Sequence, residues 1–390
     1  MTFLGEKIPR KSNDCSEEAI LERVTWLREK IGYNLSNAAS FSADTEKMKG
    51  NIENMIGICQ IPVGIAGPLQ VNGDYAKGKF FIPMATTEGV LVSSFAMGMR
   101  VLSKNGGIDV KILKDEMHVS PLFVIHDMKK CLKLIDWIDS NLKLIKSVAE
   151  STTKHGKLID IEKNICGGGV ILRFIYDTKD AMGMNMINWA TKSACEYIAQ
   201  KTQFNKYYVR SNYSADKKIS FKNIHCGYGK EVFASAVVKK ETLRLLKVTP
   251  QKMLEFYNNS LSSTVRANVL GFNGQVSNGI AAIFIACGQD VAHVIHSSPS
   301  TSSISITEEG NLFISTHIPN LLVGTVGGGT ALPTQKEYLT ILGCYGDGKA
   351  KKFAEIIGAT VLAGELAICA SLTNESFFGA HEKMGRNRPD

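Results

Sequence analysis

The segment Asp180-Ala-Met-Gly-Met-Asn-Met186 sets three methionines at alternate positions within seven residues, although the 390-residue chain holds only 13. Methionine is a flexible filler that specifies a packed core poorly. An acid, a glycine and three soft side chains in so short a span therefore ask for a role beyond ordinary packing. The flanks give the segment a place. Upstream, GGGVILRFIYDT (Gly167–Thr178) has the short apolar run of a strand, and downstream Met184–Lys201 has helical periodicity.

Outward from there the same alternation continues. PLFVIHDM from Pro121 predicts a strand, Lys129–Ala149 an amphipathic helix, and KYYVRSNYS (Lys206–Ser214) another strand. Strands and helices of this size predict a small α/β plait of the ferredoxin-like kind over residues 121–212. It is expected as an insertion between two parts of a larger helical domain, 58–120 and 213–390, after an N-terminal helical segment, 1–57. The fold class is thus α+β, with the large domain built round a central helix.

In the N-terminal segment Ser16–Ile31 carries an apolar stripe of Ile20, Val24, Leu27 and Ile31, and Asp14 and Glu17 have capping-box spacing. Glu53–Gly73 is broken by Gly and Pro and predicts short strands and turns. Thr86–Leu102 predicts a helix, and Glu231–Val238 a strand. A helix from about Pro250, an apolar helix around Gly279–Ile295, a hairpin over Ser302–Pro319 and a last helix over Lys351–Leu372 complete the large domain.

Composition narrows the function classes. Apolar residues at 44% and charged residues at 21% are ordinary for a soluble globular protein of two or three domains. A net charge of +8 suits a polyanionic ligand such as a phosphorylated cofactor, and solvated lysines account for it equally well. No dense Lys/Arg run with interleaved aromatics occurs, so nucleic acid is not an expected partner. Nine scattered cysteines without a CxxC predict reduced thiols and a cytoplasmic protein. Ala267–Gln289 is uncharged, but Asn268, Asn273, Gln275, Asn278 and Gln289 make it a buried helix rather than a membrane span.

Taken singly, the chemical signals are weak. Gly167–Gly169 and Gly327–Gly329 lack the spacing of a dinucleotide fingerprint or a P-loop and read first as turns. Glu88 follows Met84-Ala-Thr-Thr at an expected helix start, where a carboxylate commonly serves the dipole. Lys217 lies in SADKK, which alone is a solvated turn. Asp290 interrupts the apolar helix in ACGQDVAH and needs a partner if buried. His381, in GAHEKMGRNR, reads as a surface histidine. His293 and His296 are three apart but lack a third ligand, so no metal is expected.

Taken in order, they resemble a family. ENMIG, IPVGIAGPL, MATTEG, DAMGMNM, DKK, GQD, GTVGGGT with LPTQ, and a late His before GR follow one another from Glu53 to Arg386. This set resembles the hydroxymethylglutaryl-CoA (HMG-CoA) reductases, in particular the soluble archaeal or bacterial relatives of the class shared with eukaryotes. The resemblance implies that DAMGMNM binds NADPH without a Rossmann fingerprint. Backbone at Met182, Gly183, Met184 and Asn185 would contact it, Asp180 and Asn185 would help fix it, and the methionines would form an adaptable wall. Gly327, Gly328 and Gly329 would line the same site, and Lys154 would meet the 2′-phosphate.

The implied reaction reduces an acyl thioester to a primary alcohol with two NADPH, through a thiohemiacetal and an aldehyde. Lys217 matches the lysine that stabilises the oxyanion, Glu88 the proton-supplying acid, Asp290 the acid set between them, and His381 the donor to the departing thiolate. Lys218, Asn278, Ser94 and Arg100 fall at substrate-binding positions. Three others are altered: Val119 replaces an Arg, Arg210 a Ser and Asn258 a Lys, so the carboxylate site of HMG is one positive charge poorer. Met97 stands where a CoA-associated Arg is expected, and Gln275 where a His is.

Three functions follow as alternatives: HMG-CoA reduction, reduction of another acyl thioester on CoA or a carrier protein, or binding without catalysis. The altered pocket leads us to expect weak turnover of HMG-CoA and faster reduction of another thioester, unless Arg210 takes over the carboxylate. A homodimer or dimer-based oligomer is expected, because the family's active sites lie at subunit interfaces.

Overall fold

The computed structural model describes residues 7–377 and residue 382. His381, the expected thiolate donor, lies outside the described residues.

The chain enters through α1 (Glu17–Ile31), whose N-cap is Ser16, accepting from the Ala19 N–H. The capping box expected of Asp14 and Glu17 does not form; Asp14 instead pairs with the buried Arg23 at 3.1 Å. β1 (Val63–Asn72) and β2 (Lys77–Ala85) then form an antiparallel pair. α2 (Leu91–Lys104) starts later than expected, leaving Glu88 in the bend before it.

β3 (Ile108–Val119), a strand that apolar periodicity did not reveal, ties the molecule together. Its first half pairs with β8, and Met117–Val119 at its end pair with β6. β4 (Leu122–Val124), α3 (Met128–Glu150), β5 (Lys157–Cys166), β6 (Gly169–Asp177) and α4 (Met184–Thr202) follow. β6 is buried from Gly169 to Tyr176, as expected of a strand flanked on both edges and covered by helices. The third expected strand shrinks to β7 (Tyr207–Tyr208), because Asn212–Ser214 turn as a 3-10 helix.

Short α5 (Phe221–Cys226) leads to β8 (Gly229–Val238), α6 (Lys240–Leu243) and α7 (Pro250–Arg266). α7 is started by a Thr249 cap and a proline in its first turn. α8 (Val276–Ala286) ends well before Ile295, so Asp290 does not interrupt it. Asp290 instead caps the 3-10 turn Val291–His293 that precedes α9 (Val294–Ser297). The expected hairpin is present as antiparallel β9 (Thr301–Ile306) and β10 (Leu312–Leu321). α10 (Pro333–Ile341) and α11 (Ala350–Thr373) close the described chain.

Among the described residues the result is a mixed α+β fold on a ten-stranded, mainly antiparallel sheet, in which β1–β3 is the one parallel strand pair. The body expected to be helical carries β1, β2, β8, β9 and β10, together with the first half of β3, packed round α11. Among the described residues three apolar cores result: one round α11, one formed mostly by Met117–Ala199 with Tyr228 and Leu322, and a small one of Cys15, Ile20, Val24, Met48 and Met55. α2 crosses α11 so closely that a Cβ at Gly98 would lie 1.9 Å from the Ala363 carbonyl oxygen.

α11 is long and apolar enough to cross a membrane by composition, yet most of it is buried in the fold. It carries two buried carboxylates. Glu355 accepts the amides of Asp74, Tyr75 and Ala76 at 2.6–3.0 Å. Glu365 accepts those of Gly274 and Gln275 and the Ser302 hydroxyl at 2.7–2.9 Å.

Glu355→Ala should orphan three amides at once. It is expected to destabilise the protein by roughly 2–4 kcal/mol, read as a lower urea midpoint. An unchanged midpoint would show that the β1–β2 turn does not depend on it.

Candidate active site

Two clefts meet the expectations, and they are separate. The first, about 310 Å³, is lined by Ala181–Met186 on one side and Gly327–Thr330 on the other, with Gly288, Gln289 and Asp290 at its end. Local sequence explains its shape. Gly183 is the N-cap of α4 with φ +86° and has no side chain to cap with, so the first-turn amides of a helix start that lines this cleft take no N-cap side-chain bond. Opposite, Gly288 and Gly329 lie backbone against backbone; a Cβ on Gly288 would come within 2.2 Å of the Gly329 oxygen. Larger residues would push the Gly327–Thr330 wall away from the end of the cleft at Gly288.

Met182, Gly183, Met184, Asn185, Gly327, Gly328 and Gly329 thus come together as expected. Met186 joins them, with its sulfur accepting from Thr153 Oγ1 at 2.9 Å. That contact brings the exposed loop holding Lys154 to the edge of the cleft. Asp180 behaves differently. Its carboxylate accepts the amides of Gly348, Lys349 and Ala350 at 2.7–3.0 Å, and its carbonyl accepts from the Thr325 amide. It caps α11 and is not among the cleft-lining residues, so its part in holding a ligand is indirect.

At the end of this cleft Lys217 Nζ lies 2.6 Å from Asp290 Oδ2. Partial burial opposes ionisation of Asp290, but the Lys217 hydrogen bond, His293 and the Ala292 amide hold its carboxyl below the usual range. Beside it Asp216 is also held low, against burial, by Arg210 at 2.7 Å, His293 and the Tyr228 hydroxyl at 3.1 Å. Lys218 Nζ donates to the Asp216 carbonyl oxygen at 3.2 Å. The DKK turn is therefore held in a defined shape, although both lysines remain exposed.

The second cleft, about 280 Å³, is lined by Glu88, Ser94, Met97, Gln275 and Asn278 with the end of α11. Gln275 is fixed there by a 2.6 Å bond to the Gly364 carbonyl. Among the described residues no hydrogen bond or ion pair joins Glu88 to Lys217 or Asp290, so within one chain Asp290 does not bridge the two. Arg100 is exposed near the end of α2 and outside both clefts. Asn258 is exposed on α7 and lines neither. Val119 is buried in the second core because β3 turns it inward.

Sequence reasoning missed Gln289, whose Oε1 accepts the Gly324 amide at 2.9 Å and braces the first cleft. Its place in GQD beside a functional acid was the available signal. It also missed a third possible ligand for the His293/His296 pair. Asp216 brings donor atoms of all three residues within 4.8 Å of one another. Arg210, Tyr228 and the Lys217 amide already occupy Asp216 and His296, so the cluster reads as a hydrogen-bonded anchor.

Burial disfavours the charged form of the three buried histidines. Burial pushes His118 well below the ordinary 6.5, lowers His293 against the pull of Asp290 and Asp216, and with His293 brings His296 down to about 4. The unfolded chain takes up protons at these sites as pH falls through 6.5, before the folded chain does. Their contribution to stability is therefore complete above that pH and is lost towards pH 4. Thermal midpoints should fall between about pH 7 and about pH 4.5, and His296→Gln should flatten the slope. A flat profile in the parent would contradict the assignment.

The hydroxymethylglutaryl-coenzyme A reductase family model matches residues 19–386. The 3-hydroxy-3-methylglutaryl-coenzyme A reductase of Methanocaldococcus jannaschii is 44% identical over 374 residues, covering 93% of this chain and 92% of that one. Its namesake from Aeropyrum pernix is 41% identical over 390 residues, covering 97% and 92%. Among solved structures, a class II 3-hydroxy-3-methylglutaryl-CoA reductase from Streptococcus pneumoniae, bound to NADPH, superposes with a TM-score of 0.67. It is 19% identical, with 93% of this chain and all of that one covered.

Proposed function

The chain belongs to the hydroxymethylglutaryl-coenzyme A reductase family, and from that premise we propose that it reduces the HMG thioester of coenzyme A to a primary alcohol. NADPH would serve as reductant, with release of the thiol. The observation that carries this reading is the Lys217–Asp290 pair at the end of the methionine- and glycine-lined cleft.

That cleft fits NADPH: uncapped amides of α4 suit a pyrophosphate, the glycine walls allow close backbone approach, and the Lys154 loop would meet the 2′-phosphate. NADPH would supply a hydride in each of two reductions. Lys217 would donate a hydrogen bond to the oxygen on which negative charge develops, while Asp290 keeps its ammonium aimed. The departing thiolate needs a proton, and His381 is the family match for that role. Residues 121–212 would form the NADP(H)-binding unit, inserted in the larger one.

Lys217→Met should fold and bind NADPH like the parent yet lose at least about a hundredfold in turnover, measured as NADPH oxidation with HMG-CoA. Parental turnover would refute the assignment.

A second reading, another acyl thioester on CoA or a carrier protein, rests on Val119 being in the core and Arg210 being tied to Asp216. Relatives at 41–44% identity favour the first reading. It requires Arg210, whose side chain is still 46% exposed, to reach the HMG carboxylate along with Lys218. The same assay across a thioester panel separates the readings. Weak HMG-CoA turnover beside fast turnover of another thioester would establish the second, and no turnover of any would leave the binding protein.

Glu88, on its separate cleft, supports a dimer in which each chain lends this acid to the other's Lys217. ENMIG also leaves Ile56 exposed while burying Met55. Mixing inactive Glu88→Gln with inactive Lys217→Met should restore about a quarter of parental activity, since half of reassorted dimers are mixed and each keeps one whole site. No recovery, despite proven subunit exchange, would place both residues in one chain's site.

A further inference from the structure

The Lys217 backbone sits in a conformation that its own sequence does not favour. Lys217 has φ +54° and Ala215 φ +50°, so two non-glycine residues flanking Asp216 lie in the left-handed region. Such residues persist only where their surroundings over-determine them, and they gather at functional sites. Asp216 is held from one side by Arg210 and Tyr228. From the other side the Lys217 amide donates to Nε2 of His296 at 2.9 Å, across 79 residues of sequence.

His296 is itself rigidly placed. It is 2% exposed and lies on α9, which packs on β10. The Tyr228 ring meets it edge-on at 4.9 Å, and the His293 ring stacks on it at 5.5 Å. The His118 ring meets Tyr228 in a tilted contact at 4.6 Å. Four rings thus form a buried column ending at Asp290, whose Oδ2 is 3.5 Å from His293 Nε2.

We infer that His296 is a positioning residue: the lone pair on its Nε2 fixes the Lys217 backbone, and so the direction in which the ammonium leaves the turn. The inference rests on Lys217 being the oxyanion partner proposed above. It requires the tautomer with the proton on Nδ1 and a free lone pair on Nε2. Without that acceptor the Lys217 amide is orphaned, the turn relaxes, and Nζ shifts relative to Asp290. A displacement of about 1 Å at such a group is enough to cost on the order of a hundredfold in rate.

The test compares His296→Phe, which keeps a ring but has no acceptor, with His296→Gln, whose Oε1 stands in for Nε2. His296→Phe should lower kcat by at least about tenfold, with NADPH affinity unchanged, because the cofactor cleft does not touch His296. His296→Gln should keep kcat within about threefold of the parent. A merely structural residue would not give that split. Parental kcat in folded His296→Phe, or an equal loss in both variants, would overturn the inference. Nitrogen chemical shifts of ¹⁵N-histidine in the parent test the bond itself, even if His296→Phe fails to fold. An unprotonated Nε2 is expected at neutral pH, and a protonated one refutes the bond. An active Lys217→Met would remove the catalytic premise alone and leave this tautomer measurement standing.

Discussion

Both clefts are positioned by α11, an apolar helix that carries acids it cannot leave unpaired. A carboxylate in a dry interior is expensive without partners. Glu365 finds them in the amides of Gly274 and Gln275, and burial raises its pKa even so. Those amides belong to the approach to α8, so the acid fixes the floor of the Glu88 cleft. At the other end, Asp180 caps α11 and fixes the methionine segment of the first cleft. One buried helix therefore sets the positions of both clefts.

As the proposed NADPH site, the first cleft would accommodate a dinucleotide without the usual glycine fingerprint. The fingerprint places three glycines in one turn, whereas here close backbone approach comes from two distant glycine sites, Gly183 and Gly327–Gly329. The methionines between them can adjust to a cofactor that enters and leaves. Lys217 is treated in the opposite way. Its turn is tied down by Arg210, Tyr228 and His296, and its ammonium pairs with Asp290 at the end of the methionine-lined cleft.

The order of elements was legible wherever apolar periodicity was strong, as in α3, α4, β6, α11 and the β9–β10 hairpin. It failed at β3, whose first residues Ile108-Asp109-Val110-Lys111-Ile112 do carry the period-2 alternation of a half-buried strand, but whose continuation through Leu113–Glu116 loses it and is held by pairing with β8. The end of α8 was misplaced because the apolar run continues past the point where Gly288 turns the chain.

Site residues were legible as motifs, but their geometry was not. Nothing local in DAMGMNM says that Asp180 spends its oxygens on α11. Nothing in HVSPL says that Val119 faces a core. His293 and His296 were visible as a pair, yet their partner Asp216 lies nearly eighty positions away. That Glu88 would line a different cleft from Lys217 could be seen only in three dimensions.

The most direct test of the account is the stoichiometry of the reaction. With purified protein and HMG-CoA, NADPH oxidised and free thiol released would be counted together as substrate runs out. Two NADPH per thiol, with the alcohol as product, is the predicted result. One NADPH per thiol with aldehyde accumulating, or thiol release without NADPH oxidation, would contradict the proposed four-electron reduction at the Lys217–Asp290 site.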